Sequence, residues 1–166
     1  MLVKRAKITN KGVYEKLGKL LEGRLDASDL ILLVLLVSPV KGVTAMQKQV
    51  FIAWREIYKD VAVDAGYFPY LFGPYSRLVD DLLVAMKAMR LIDFKGGKNE
   101  GTLYTITPEG IKKIKEKMTR LKISTNELER RKKMWHDWTS RGYLQYVYRR
   151  HPEYAVESMV PSHKWE

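Results

Sequence analysis

The chain has 166 residues, 46% of them hydrophobic, with no cysteine and a formal net charge of +11. That length and apolar fraction suit one domain with a proper core and exclude a disordered tail, and the lack of cysteine excludes disulfides, thiolate metal sites and cysteine catalysis. The charge favours a polyanionic partner, nucleic acid before an anionic membrane surface.

Residues 1–25 are polar and basic, with Lys4, Arg5 and Lys7 at the start. No apolar stretch follows these cations, so a signal peptide is not expected. Tyr14, Leu17, Leu20 and Leu21 recur at helical spacing, so part of this arm reads as a short amphipathic helix. Asp26 is placed to cap the next helix, with Asp29 three residues later in its first turn. The run Leu30 to Val37 is apolar on nearly all sides and belongs at the centre of the core; Pro39 stops it. This run is far short of the roughly 20 residues that cross a bilayer. No membrane is expected as a partner, and the cytoplasm is the expected location.

After a turn at Lys41-Gly42, Thr44 is a good cap for a second helix carrying Met46, Val50, Ile52, Ala53, Trp54 and Ile57. A glycine- and aromatic-rich segment follows, from Gly66 to Tyr75, read as extended with a tight turn at Gly73-Pro74. Its rings serve either as a partner-binding surface or to pin the next helix onto the core; the structural use is preferred because aromatics dominate cores. Pro74 and Ser76 start a third helix with apolar positions Leu78, Val79, Leu82, Leu83, Ala85, Met86 and Met89. Residues 91–94 alternate like a strand, 96–101 form a hairpin tip, and 103–106 return. Thr107 caps another helix, with Pro108 and Glu109 in its first turn. From Thr119 on, two more helical stretches carry Leu128, Trp135 and Trp138, then Leu144, Val147 and Tyr148. Gly142 reads as a break or bend, and Pro152 as the end.

The order helix, helix, short extended piece, helix, strand, hairpin, strand, helix is that of a winged helix-turn-helix. The fold expected is therefore mainly α with a small β-hairpin. A basic arm (1–25) precedes a winged-helix domain (26–118). A C-terminal helical extension (119–166) packs on the core or on a dimer partner.

Charge divides unevenly: +5 in residues 1–25, zero in 26–106 and +6 in 107–166. The third helix, as recognition helix, turns Arg77, Asp81, Val84 and Ala88 outward, with Asp80 and Lys87 beside them, so base readout by this helix is doubtful. An Arg77–Asp81 pair within the helix is the simplest use of those charges. The candidate nucleic-acid contacts are Tyr75, Ser76 and Arg77 at the helix start, where the helix dipole favours phosphate. Lys87 in the helix, Lys95 and Lys98 in the wing, Lys112 and Lys113, and the run Arg130, Arg131, Lys132 and Lys133 complete them.

The segment Thr44-Ala45-Met46-Gln47-Lys48-Gln49-Val50-Phe51, the stretch Phe68 to Phe72 followed by Gly73-Pro74-Tyr75-Ser76, and Leu91-Ile92 resemble a group of archaeal and bacterial winged-helix proteins, which are more distantly similar to the SocA-like (Panacea) antitoxin domain. Tyr146-Val147-Tyr148, Pro152-Glu153-Tyr154 and Ser158 are similar too. Met46, Phe72 and Arg90 stand where that group carries leucine, tyrosine and glycine. The resemblance implies a winged-helix fold. It leaves open a transcriptional regulator or an antitoxin-like adaptor for protein partners, and it implies no reaction. The few amide side chains beside many lysines and glutamates fit a heat-adapted composition.

His136, His151 and His163 lack zinc-motif spacing and are read as surface or packing residues, with no metal and no cofactor expected. Asp80 and Asp81, adjacent on a helix, diverge by about 100° and do not converge on one site. The expectation is a non-enzymatic protein that binds double-stranded DNA, as a homodimer through its terminal helices. A protein-interaction adaptor is the alternative, supported by the neutral third helix and the aromatic segment.

Overall fold

The computed structural model describes residues 10–162. Those residues are mainly helical with a small antiparallel sheet. Helix α1 (Asn10–Glu22) leads to α2 (Ala27–Val37), which is wrapped on nearly every side: Leu30 through Leu35 are buried. Local chemistry fixes where α2 begins. The Asp26 carboxylate accepts from the Asp29 backbone N–H at 2.9 Å and the Asp29 carboxylate accepts from that of Asp26 at 2.9 Å, a reciprocal capping box. Two lysines from the far end of the chain complete the helix. Lys117 pairs with Asp29 at its start, and Lys132 donates to the carbonyls of Val34 (2.8 Å) and Ser38 (2.7 Å) at its end. The last carbonyls of a helix have no intrahelical donors, so this ammonium answers them and the dipole together.

Strand β1 (Val40–Lys41) precedes α3 (Val43–Ile52). Thr44, expected as a cap, lies inside α3. The cap position is Gly42, at φ 97°, and it has no side chain to offer. Glu100 from the hairpin serves instead, accepting from the Thr44 N–H (3.1 Å) and hydroxyl (2.7 Å). Helix α3 continues into a π-helical turn, Ala53–Ile57, closed by Tyr58 N–H to Ala53 at 2.8 Å.

The aromatic segment forms a hairpin of β2 (Phe68–Tyr70) and β3 (Gly73–Tyr75). Pairing of Tyr70 with Gly73 puts the turn at Leu71-Phe72, so Gly73 and Pro74 lie in the return strand rather than in the turn expected there. Gly73 has φ 87°, and a Cβ on it would stand 2.9 Å from Leu144. Helix α4 (Arg77–Ala88) begins as expected, with the Ser76 hydroxyl accepting from Val79 N–H at 3.1 Å. Arg90, where the resemblance expects glycine, takes φ 60° after the helix.

Strands β4 (Ile92–Asp93) and β5 (Leu103–Ile106) pair antiparallel, and β5 also pairs with β1, giving the order β1-β5-β4. The sheet thus has a third strand beyond the hairpin expected. Thr107 caps α5 (Pro108–Leu121).

In the C-terminal part, α6 (Asn126–Met134) and α7 (Ser140–Arg150) pack on the body, with Leu128, Trp135, Tyr143 and Val147 buried in the same core as α2. Helix α7 runs unbroken through Gly142, which seats against Trp138 rather than bending the helix. A 3-10 turn, Pro152–Ala155, follows. The tail then returns to the aromatic hairpin, where Met159 N–H donates to the Leu71 carbonyl at 2.9 Å. Among the described residues no helix is long and apolar enough to cross a membrane.

Candidate nucleic-acid interface

The start of α4 meets the loop 94–102 between β4 and β5. Gln47, on α3, holds the start of α4 from beneath. Its amide nitrogen donates to the Ser76 carbonyl and to Asp80, both at 2.9 Å, and its amide oxygen accepts from Ser76 N–H at 3.0 Å. Asp80 then accepts from the Tyr75 hydroxyl and pairs with Lys98 from the loop. Lys98 also sits 5.2 Å from the centre of the Tyr75 ring. Burial opposes the charge of Lys98, but its bonds to Asp80 and Tyr75 outweigh that and raise its pKa. Burial and the bond to Asp80 raise that of the Tyr75 hydroxyl.

Lys48, the residue after Gln47, is buried and donates to the Pro74 carbonyl at 2.8 Å. Burial pushes it down to about 8. Between these elements a cavity of about 180 Å³ is lined by Gln47, Lys48, Tyr70, Phe72 and Tyr75.

The expected contacts fall into three groups. Four stand exposed with no ion-pair partner among the described residues: Lys95, Lys112, Lys113 and Lys133. Arg77 is also exposed, and its guanidinium lies over the Phe68 ring at 5.6 Å instead of pairing with Asp81. A second group is held by neighbours but reaches solvent. Lys87 donates to the Phe94 carbonyl and covers that ring at 4.5 Å; Lys98 is held by Asp80; Arg130 chelates Glu127 at 2.6 and 2.8 Å.

The third group corrects the sequence reading. Ser76 is fully buried, and its hydroxyl donates to the Ala65 carbonyl (2.7 Å) while capping α4, so it has nothing left for a phosphate. Arg131 is drawn inward to Glu56 (2.9 Å), Glu127 (2.8 Å) and Tyr146 (2.6 Å). Lys132 is spent on the end of α2, and burial lowers it to about 7. Two of the four cations in the run 130–133, Arg131 and Lys132, are therefore structural, while Arg130 and Lys133 stay at the surface. Lys4, Arg5, Lys7 and His163 lie outside the described residues. His136 is exposed, while His151 packs edge-on against Phe51 and meets Glu56 at 2.8 Å.

Glu56 is the hub of this second cluster. Burial would raise its pKa, but hydrogen bonds from His151, Tyr146 and Arg131, with the Arg131 charge, hold it at about 2. Sequence reasoning missed Glu56, Gln47 and Glu100 because their partners are remote and no local motif marks them.

The aromatic segment divides between its two expected uses. Tyr67 stacks on Trp54 at 5.6 Å and bonds the Gln47 carbonyl at 2.7 Å, pinning the connection to α3. Phe72 remains 55% exposed at the hairpin turn, with Tyr70 exposed beside it. No protein-family profile, curated protein or solved structure matches the chain.

Proposed function

We propose that the chain is a winged-helix protein that binds double-stranded DNA chiefly through the phosphate backbone, as a regulator of transcription. One observation carries the reading. The sheet β1-β5-β4, with β1 between α2 and α3 and with β4 and β5 between α4 and α5, sets the loop 94–102 against α4 through Lys98 and Asp80. Helix and loop then form the paired surface with which winged helices grip a duplex. Arg77 and Lys95 supply exposed positive charge there, and Lys112 and Lys113 add more on α5. Asp80 and Asp81 disfavour close reading of base edges by α4, so sequence preference is weak and affinity comes from counterion release.

The test is DNA binding across a salt series by fluorescence anisotropy. Affinity should fall steeply with salt. Replacing Lys95, Lys112 and Lys113 together by alanine should lower affinity at low salt by about tenfold or more and flatten the slope by up to about 3. Salt-insensitive binding, or none, would overturn the proposal.

A second reading has its own observation. Apolar side chains are exposed on and just after α4, at Leu78, Val84 and Met89, with Val84 66% exposed, a poor match to phosphates and a better one to a protein. On that reading the module is an adaptor, and a stoichiometric protein complex replaces DNA binding. Homodimer formation is the remaining part of the proposal. The C-terminal helices commit their apolar stripes to the chain's own core, which leaves α1, with Val13 and Leu17 exposed, as the pairing element. Light scattering of chains with and without residues 1–22 tests it.

A further inference from the structure

Away from the α4 surface, a cavity of about 550 Å³ opens between the α6–α7 connection and the end of the body formed by β1 and α3. Its size falls in the range of small-molecule sites. Three aromatic side chains wall it. Trp138 and Tyr143 meet edge to face at 5.4 Å, and Trp135 lies 6.2 Å from Tyr143.

The polar groups of this wall are incompletely used. Gln49 is 6% exposed and donates its amide N–H to the Tyr143 hydroxyl at 2.9 Å, leaving its amide oxygen with no partner. Turning the amide over would only move the deficit to its nitrogen. Trp135 is 2% exposed, and its indole N–H has no acceptor. Lys132, lining the same cavity, donates two N–H groups to the end of α2 and keeps a third only while it is charged. Buried donors and acceptors are nearly always satisfied, and unpaired ones cost stability. Two such groups, with the Lys132 ammonium beside them, around one cavity of ligand size point to a group that completes them.

The complement is specific: two acceptors, one donor and a flat ring. Glu100 sits at the rim, held by Ser140 at 3.2 Å, and its carboxylate repels a phosphate. We propose that this cavity binds an oxo-substituted nucleobase, free or as its nucleoside, stacked among Trp135, Trp138 and Tyr143. Its carbonyl or ring-nitrogen acceptors take the N–H groups of Trp135 and Lys132, and its ring N–H donates to Gln49. This site stands apart from the DNA-binding proposal and does not depend on it.

The experiment is calorimetric titration of the full chain with guanosine and uridine, beside 1-methylguanosine and 3-methyluridine. The methylated forms keep ring and carbonyls but lose the N–H that Gln49 would accept. The expected result is saturable binding of guanosine or uridine, weakened about tenfold or more by the methyl group. No saturable heat from either parent up to about 1 mM, or equal binding of parent and methylated forms, overturns the proposal. Trp135→Phe keeps a ring and removes the unpaired donor. It should weaken binding by about tenfold in a variant that still unfolds cooperatively, and unchanged binding would equally overturn the assignment. The methylated pair is read on the unaltered chain, so a variant that fails to fold leaves the outcome decided.

Discussion

Two residues show how single positions carry disproportionate energy. Arg90 holds φ 60° without being glycine, a conformation that costs a side-chain-bearing residue about 1–2 kcal/mol. Arg90→Gly should therefore raise stability by about 1 kcal/mol in urea denaturation, net of the entropy glycine adds to the unfolded chain; a loss of stability would refute the strain. Glu56 is the opposite case. It is nearly enclosed and answers Arg131, Tyr146 and His151 together. Glu56→Gln should cost about 3 kcal/mol, because it leaves the Arg131 guanidinium buried beside a neutral amide. With the folded carboxyl near 2 and the unfolded one near its ordinary value of 4.5, the unfolded state binds more protons between those limits. The stabilisation from Glu56 is complete above that window and is lost as pH falls through it. An acid titration followed by circular dichroism should show the transition shifted or flattened in Glu56→Gln.

Among the elements, the aromatic hairpin depends most on a single contact. Gly73 places β3 so close to α7 that any Cβ meets Leu144, and its φ is one that other residues rarely adopt. Gly73→Ala should destabilise the protein by about 2 kcal/mol or more and raise hydrogen exchange in β2 and β3, since backbone strain and steric overlap add. Exchange rates unchanged there would show that the hairpin can shift to accept a methyl. Helix starts were legible because their chemistry is local: Asp26, Ser76 and Thr107 each cap the backbone N–H three residues on, a spacing the sequence displays. The start of α3 was not, because its carboxylate cap, Glu100, lies 56 residues from Thr44.

Across the whole molecule, the buried lysines set an alkaline signature. Lys48 and Lys132 lose their protons near 8 and 7 in the folded protein, whereas unfolded lysines keep theirs to about 10.5. The unfolded state thus binds more protons in between, and stability rises with pH through that interval. Lys48 alone contributes on the order of 2 kcal/mol between pH 8 and 10. Once the unfolded lysines have also lost their protons, above about pH 10.5, the sign reverses, because burial pushes Tyr58 to about 12 and the folded state then holds the extra proton. Urea midpoints measured from pH 7 to 10 should rise for the native chain and rise less for Lys48→Met. A flat native profile would mean that Lys48 stays charged in place.

By itself the sequence determined the helices, the caps of α2, α4 and α5 and the apolar faces that make the core, because these depend on spacings of two to four residues. It also indicated the net charge, but not where that charge acts. Arg131 and Lys132, indistinguishable in the chain from their neighbours Arg130 and Lys133, turn inward because Glu56 and the end of α2 stand opposite them. Only the tertiary structure decided which cations are consumed inside the fold and which remain for a partner. Ion pairing and desolvation depend on what packs within a few ångströms, and residues far apart in the chain supply it.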